Sequence, residues 1–194
     1  MLNYNEFGTG PTLLIAHGLY GSARNWGVIA KRLSDTRRVV VVDMRNHGDS
    51  PRFDTHSYPD MANDLAEVIE HIGAPVDVLG HSMGGKASMA LALTRPELVR
   101  SLISADIAPV SYTHSQIHFI EAMRAVDLNT VTRRAEASEQ LEAQGVSAEL
   151  QSFFTQSIDI SNKVWKLNFD ALAADMNKIL SFPTLAGSYD GPTL

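Results

Sequence analysis

Residues 76–93 read VDVLGHSMGGKASMALAL, and their pattern is the strongest indication of the fold. It begins with an apolar run at 76–79 and ends with a helix-forming run at 86–93, with Gly80-His81-Ser82-Met83-Gly84 between them. A strand, a sharp turn and a helix in this order predict a nucleophile elbow, in which a strained backbone lifts the central serine hydroxyl above the sheet. A purely structural glycine-rich turn is the alternative interpretation.

The elbow predicts two chemical roles. Ser82 is the candidate nucleophile, and the peptide N–H of Met83, at the start of the following helix, is a candidate donor to an oxyanion. The flanking positions must be glycine, because a Cβ there would collide with backbone that passes close to the turn. His81 is a poor candidate for the general base, since its adjacency to Ser82 points its side chain away from the hydroxyl.

Predicted strands and helices alternate on both sides of this motif. Apolar runs at 12–16, 38–42 and 99–105 predict buried strands, and residues 2–7 fit a short edge strand. Ser22 and Pro59 fit the starts of two helices that run to about Leu33 and Ile72. The spacing of the first helix puts four residues on one face, Trp26, Ile29, Ala30 and Leu33. Strands joined by helices predict an α/β fold with a mostly parallel sheet and helices on both faces.

The pattern changes after Pro109. Residues 110–180 contain no convincing strand and offer helical candidates at 115–125, 130–145, 149–154 and 168–180. We therefore expect an α/β core at 1–109, a helical cap over the active face at 110–181, and a return to the core at 182–194. A separate helical domain is the alternative.

Composition excludes several classes of function. The chain has 194 residues, enough for one domain with a hydrophobic core, and a net charge of −6 with no basic stripe argues against a nucleic-acid partner. The absence of cysteine excludes disulfides, thiolate metal sites and a cysteine nucleophile. No apolar run approaches the ~18 residues of a membrane span, and the first residues do not resemble a signal peptide. We expect a cytoplasmic protein without a membrane span.

Four segments carry a family resemblance. They are HGLYGS at 17–22, DMRNHGDSP at 43–51, GHSMGGK at 80–86 and DIAPV at 106–110. In these segments, and in their order over residues 12–110, the chain resembles the α/β-hydrolase superfamily and, more narrowly, the YbfF-type esterases. The resemblance implies a serine esterase or thioesterase that acts on a small-molecule acyl ester or thioester, with no metal and no organic cofactor.

The resemblance also places candidate site residues. The loop after an early strand supplies the second oxyanion donor in this fold, and the N–H of Leu19 is the candidate. We expect His17 to orient that loop, and Arg45, His47 and Asp49 to brace their own loop.

A triad also needs an acid to orient its histidine. Asp106 follows the strand at 99–105 on the same edge of the sheet as Ser82, so its carboxylate is the candidate. A role in capping the loop, or an acid one strand later, is the alternative.

The general base is missing from this pattern. In this fold the histidine follows the last strand, yet no histidine follows His118. Residues 192–194 resemble the first residues of a further strand, so we expect the last strands of the fold, and the base, to lie outside residues 1–194. His114, His118 and Glu121 have helical spacing that fits a metal site or a substitute base, and we interpret them instead as polar residues that line or cover the cap.

These observations predict a serine hydrolase that cleaves a carboxylic ester or thioester through an acyl-enzyme on Ser82. Two alternatives stay open. One is carbon–carbon bond hydrolysis or perhydrolysis on the same scaffold. The other is a catalytically silent domain used for binding.

Overall fold

A five-stranded sheet lies at the centre of the protein. The computed structural model describes all residues, 1–194. The strands are β1 (Tyr4–Phe7), β2 (Thr12–Ala16), β3 (Arg38–Val42), β4 (Val76–His81) and β5 (Val99–Ala105). Their order is β1-β3-β2-β4-β5, and only β1 runs antiparallel to its neighbour. The predicted mostly parallel sheet is confirmed.

Helices cover both faces of this sheet, namely α1 (Gly27–Leu33), α2 (Tyr58–Ile72) and α3 (Met83–Thr94). Successive residues of β2 and β3 contribute to different apolar clusters, because side chains alternate between the faces of a strand. Helix α1 packs on one face, and α2 and α3 pack on the other. Ile29, predicted to share one helix face with Ala30, is 44% exposed. Ala30 is fully buried, and consecutive residues of an α-helix lie about 100° apart, so the buried face of α1 centres on Ala30 and leaves Ile29 at its margin.

The chain after β5 is mainly helical. Its helices are α4 (Ile117–Arg124), α5 (Arg134–Ala143), α6 (Ala148–Phe154), α7 (Phe169–Ala174) and α8 (Met176–Leu180). A small hairpin of β6 (Ile158–Asp159) and β7 (Val164–Trp165) lies among them, although the sequence predicts no strand there. Each of its strands has only two residues, too few to show alternation. Apolar residues of this region share one cluster with β2, β3 and α2, and the division into a core and a cap stays a prediction.

The last residues run along β5. Leu102 donates its N–H to the carbonyl of Pro192 at 2.9 Å, and its carbonyl accepts from the N–H of Leu194 at 3.0 Å. Thr193 pairs with Leu102 in a parallel bridge. This pairing agrees with the prediction that residues 192–194 begin a strand.

None of the helices has both the length and the apolar character that crossing a bilayer requires.

Candidate active site

Ser82 lies at the apex of the turn between β4 and α3. Its backbone has φ 51° and ψ −119°, in a region that non-glycine residues rarely adopt. Its N–H donates to the carbonyl of Ala105 on the neighbouring strand at 3.1 Å, which holds the strained turn at the carboxyl edge of the sheet. The Ser82 side chain is half-buried and faces a pocket.

The glycines around Ser82 are required by close backbone contacts. A Cβ on Gly80 would overlap the carbonyl of Gly84, and a Cβ on Gly84 would overlap the carbonyls of Ala16 and His17 at the end of β2. A Cβ on Gly85 would lie 2.5 Å from Cγ2 of Ile107. The structure therefore gives the predicted physical reason for glycine on both sides of the elbow.

The loop after β2 lies against Ser82. A Cβ built on Gly18 would lie 3.2 Å from Cβ of Ser82 and 3.0 Å from Nδ1 of His81. Gly18, Leu19 and Ser82 line the same pocket, so the candidate donor loop and the candidate nucleophile face each other.

Hydrogen bonds fix the Gly18–Leu19 peptide from its carbonyl side. The Gly18 carbonyl accepts from Nδ1–H of His17 at 2.8 Å and from the N–H of Gly21 at 3.0 Å. In a trans peptide the N–H points opposite to the carbonyl, and the N–H of Leu19 donates no hydrogen bond within the protein. It is therefore free to bind an oxygen in the pocket.

Three buried histidines stand in a row beneath this loop. The ring centroids of His17 and His47 are 5.2 Å apart, and those of His47 and His56 are 5.4 Å apart. Nε2 of His17 accepts from the N–H of Met44 at 3.0 Å, and Nε2 of His47 accepts from the N–H of Tyr20 at 3.1 Å, so both rings carry their proton on Nδ1. We call His17, His47 and His56 the histidine row.

Burial keeps the histidine row neutral. Desolvation lowers the pKa of His17 to about 4 and that of His47 to about 3. It also lowers the pKa of His56 well below its usual value. His56 lies 3.1 Å through Nε2 from the sulfur of Met83, so the row connects the Leu19 loop to the first residue of α3. His17 and His47 thus orient their loops, as predicted.

The other loop residues named from the sequence also brace the structure. Arg45 forms a bidentate ion pair with Asp64 of α2, at 2.5 and 3.0 Å. Asp49 accepts from Nζ of Lys166 at 2.7 Å and so ties this loop to the segment after β7.

Asp106 directly follows β5. Its neighbour Ala105 pairs with His81 and accepts from the N–H of Ser82, so Asp106 lies beside the elbow at the edge of the sheet. The residue has φ 56°, its side chain is exposed, and its carboxylate accepts no hydrogen bond within the protein. The carboxylate is therefore available to a partner, and its assignment as the triad acid stays a prediction.

None of the seven histidines hydrogen-bonds to the Ser82 hydroxyl. The ring of His81 faces Trp26, with centroids 6.3 Å apart. His114 lines the pocket from the loop before α4, whereas His118 lies on the helix itself. The two therefore do not share a helix face, and no group of three or more His, Asp or Glu side chains is arranged to hold a metal ion.

A pocket of about 310 Å³ opens at Ser82. Its walls are mainly apolar, with Leu19, Tyr58, Met83 and Ile107 from the core and Tyr112, Phe153, Ile179 and Leu180 from the cap. An apolar pocket beside a candidate nucleophile and the free N–H of Leu19 has the shape and polarity to take an acyl chain with a carbonyl at its end. The sequence did not predict that Lys86 and Phe153 line this pocket. Lys86 lies one helical turn after Ser82, but Phe153 reaches the pocket only through the packing of the segment after β5.

Comparison with known proteins gives the family of this chain. The family model described as alpha/beta hydrolase fold matches residues 11–186. The sn-1-specific diacylglycerol lipase ABHD11 of Mus musculus is 39% identical over 100% of this chain and 67% of its own length. Esterase YbfF of Escherichia coli (strain K12) is 34% identical over 98% of this chain and 74% of its own.

A solved structure is also similar. A marine microorganism esterase superposes with a TM-score of 0.91 and 35% identity, over 99% of this chain and 78% of that one. The chain spans about two thirds of the length of the ABHD11 relatives that it matches. The covered share is 67% of the Mus musculus protein and 65% of the Danio rerio protein.

Proposed function

Because this chain belongs to the α/β-hydrolase fold family, we propose that it is a serine esterase in which Ser82 attacks the carbonyl carbon of an acyl ester. The observation that carries the proposal is the position of Ser82. Its strained backbone presents the hydroxyl to an apolar pocket, opposite the unpartnered N–H of Leu19.

The proposed reaction has two steps. In the first, the Ser82 oxygen bonds to the acyl carbon, its proton passes to a histidine, and the N–H groups of Leu19 and Met83 donate to the oxyanion. The proton then goes to the departing alcohol, and the acyl group stays on Ser82. In the second step the histidine takes a proton from water, the resulting hydroxide attacks the acyl carbon, and the acid is released as Ser82 recovers its proton.

The proposal gives Asp106 the role of orienting the histidine that acts as general base. No histidine of the chain hydrogen-bonds to Ser82. Residues 1–194 alone are therefore expected to keep only about 10³–10⁴-fold acceleration over water, which serine hydrolases retain from oxyanion binding when a triad member is lost.

The proposed substrate is a carboxylic ester whose acyl group fits the apolar pocket beside Ser82. Relatives that are named as a diacylglycerol lipase and an esterase support this class. Thioesters undergo the same attack with a thiol as leaving group, and they are the second class to test.

A fluorophosphonate probe tests the proposal in the full-length protein. We expect covalent labelling of the wild type, none of Ser82→Ala, and normal labelling of Ser152→Ala, which changes an exposed serine of α6. A panel of p-nitrophenyl esters and acyl-CoA thioesters then separates the two substrate classes. Labelling of Ser82→Ala, or a wild type that is not labelled, would reject the proposal.

A further inference from the structure

Lys86 lies on α3, four residues after Ser82, and is only 1% exposed. Burial lowers the pKa of Lys86, and no carboxylate pairs with its ammonium group. A charge without a counter-ion is costly to bury unless all its hydrogen-bond donors are satisfied. The three hydrogen-bond partners of the Lys86 ammonium group show which segments its burial joins.

All three donors of the ammonium group reach backbone carbonyls. The distances from Nζ are 2.7 Å to Val110, 2.8 Å to Ser181 and 2.9 Å to Leu180. Val110 lies where the chain leaves the sheet for the cap helices, and Leu180 and Ser181 lie where α8 ends and the chain returns. One side chain therefore binds both connections of the cap.

Two tyrosines strengthen the same junction. The N–H of Tyr112 donates to the carbonyl of Leu180 at 3.0 Å, which joins the outgoing connection to the returning one. The hydroxyl of Tyr58, on α2, donates to the carbonyl of Ile179 at 2.6 Å. The rings of Tyr112 and Tyr58 lie 4.8 and 5.7 Å from Nζ of Lys86, within the range of cation–π attraction. We call Lys86, Tyr58 and Tyr112 the hinge clamp.

The hinge clamp is also a wall of the pocket. All three of its residues line the cavity that contains Ser82, together with Ile179 and Leu180 of the returning connection. Because the clamp bonds directly to the backbone of that connection, a displacement of the clamp moves the apolar surface that an acyl chain meets.

We propose that Lys86 is a positioning residue that holds both connections of the cap against α3 and thereby limits the length of acyl chain that the pocket accepts. The limit on acyl length rests on the proposed ester hydrolysis, whereas the mechanical clamp does not. The two parts are therefore tested by different measurements on the same variants.

Hydrogen–deuterium exchange of the full-length protein tests the clamp without any substrate. Lys86→Met keeps most of the side-chain volume and removes all three hydrogen bonds. We expect amide exchange in residues 107–113 and 178–184 to become at least about tenfold faster, since those amides lose their local protection. Lys31→Met changes an exposed lysine of α1 and should exchange as the wild type does.

Ester hydrolysis tests the effect on acyl length. The ratio of kcat/KM for p-nitrophenyl decanoate to that for p-nitrophenyl acetate should rise about fivefold or more in Lys86→Met, because loss of the clamp frees the far wall for longer chains. The ratio should stay at the wild-type value in Lys31→Met.

The exchange data decide the mechanical clamp, and the ester ratio decides the limit on acyl length. Unchanged exchange in Lys86→Met rejects the clamp, and faster exchange with an unchanged ester ratio rejects its role in acyl length. A wild type that hydrolyses no ester rejects the proposed function and the limit on acyl length, but leaves the clamp standing on the exchange data. If Lys86→Met does not fold, Tyr58→Phe decides the clamp: faster exchange at 178–184 supports it, and no change rejects it.

Discussion

Ser82 holds a backbone conformation that costs free energy, and the residues around it explain how the fold maintains this conformation. Gly80, Gly84 and Gly85 allow the turn to pass within contact distance of β2 and of Ile107. The strain is therefore maintained by packing that the glycines permit, and the elbow should be sensitive to a single methyl group.

A matched pair of glycine substitutions measures this sensitivity. The Cβ that Gly84→Ala adds would overlap the carbonyls at the end of β2. This substitution should therefore lower the free energy of unfolding by about 2–4 kcal/mol. The Cβ that Gly27→Ala adds in α1 meets no atom within 4 Å. This substitution should leave the free energy of unfolding unchanged or raise it by up to about 1 kcal/mol. Urea denaturation measures both, and equal effects would contradict the packing argument.

The carboxylate of Asp106 lies beside the elbow and makes no hydrogen bond within the protein. A substitution there can therefore change activity without changing stability. Asp106→Asn removes the charge that we propose orients the base, and should lower kcat by about 10³–10⁴-fold with little change in Tm. Asp190→Asn, at an exposed position, is the control. Steady-state hydrolysis by the full-length protein checks this, and a loss of less than tenfold would place the acid elsewhere.

The elements of the core follow from local patterns, whereas those of the cap follow only in part. Strands β2 to β5 and helices α2 and α3 have continuous apolar runs or clear caps, such as Ser57, which accepts from the N–H of Asp60 at the start of α2. The hairpin of β6 and β7 is too short to produce a pattern. The exposed Ile29 beside the buried Ala30 shows that helical spacing predicts a face of α1 but not the position of its centre.

The histidine row connects β2, the loop after β3 and α3, and it should make stability depend on pH. The folded pKa of His17, about 4, and that of His47, about 3, lie below the usual value of 6.5. Each ring therefore contributes stability that is fully present above pH 6.5 and is lost as the pH falls towards the folded pKa. For His17 alone the loss at pH 5 is about 2 kcal/mol, since one pKa unit corresponds to about 1.4 kcal/mol.

Urea denaturation at pH 7.5 and pH 5 measures this dependence. The free energy of unfolding should be lower at pH 5, and the difference between the two pH values should be smaller in His17→Gln, whose amide does not titrate. The two buried carboxylates with a lowered pKa, Asp77 and Asp175, change stability mainly below about pH 4, where they become protonated in the unfolded chain, and so contribute little to this difference. An equal difference in the variant and the wild type would show that His17 does not contribute.

The cap and the core share one hydrophobic cluster of 40 buried residues. Backbone and side-chain hydrogen bonds also connect them, including those of Lys86 and Tyr58. A shared apolar interior favours cooperative unfolding, so the two regions should lose their structure together.

The two tryptophans allow this cooperativity to be measured. Trp26 precedes α1 in the core, and Trp165 lies in the hairpin of the cap. Trp26→Phe and Trp165→Phe leave one reporter in each region, and Nε1 of Trp165 has no hydrogen-bond partner to lose. For each variant, the urea midpoint from fluorescence should agree with that from circular dichroism within about 0.2 M. A fluorescence midpoint that differs from the circular dichroism midpoint of the same variant would indicate a cap that unfolds separately.

Local sequence was sufficient for the elbow, the parallel sheet and the helical nature of the cap, because turn glycines and apolar periodicity act over a few neighbouring residues. The histidine row and the hinge clamp exist only in the tertiary structure. His17, His47 and His56 come from three separate segments, and Lys86 meets carbonyls at 110 and 180–181 that no side-chain pattern marks. Contacts of this kind depend on how distant segments pack, since a backbone carbonyl is chemically the same at every position and only its location makes it a partner.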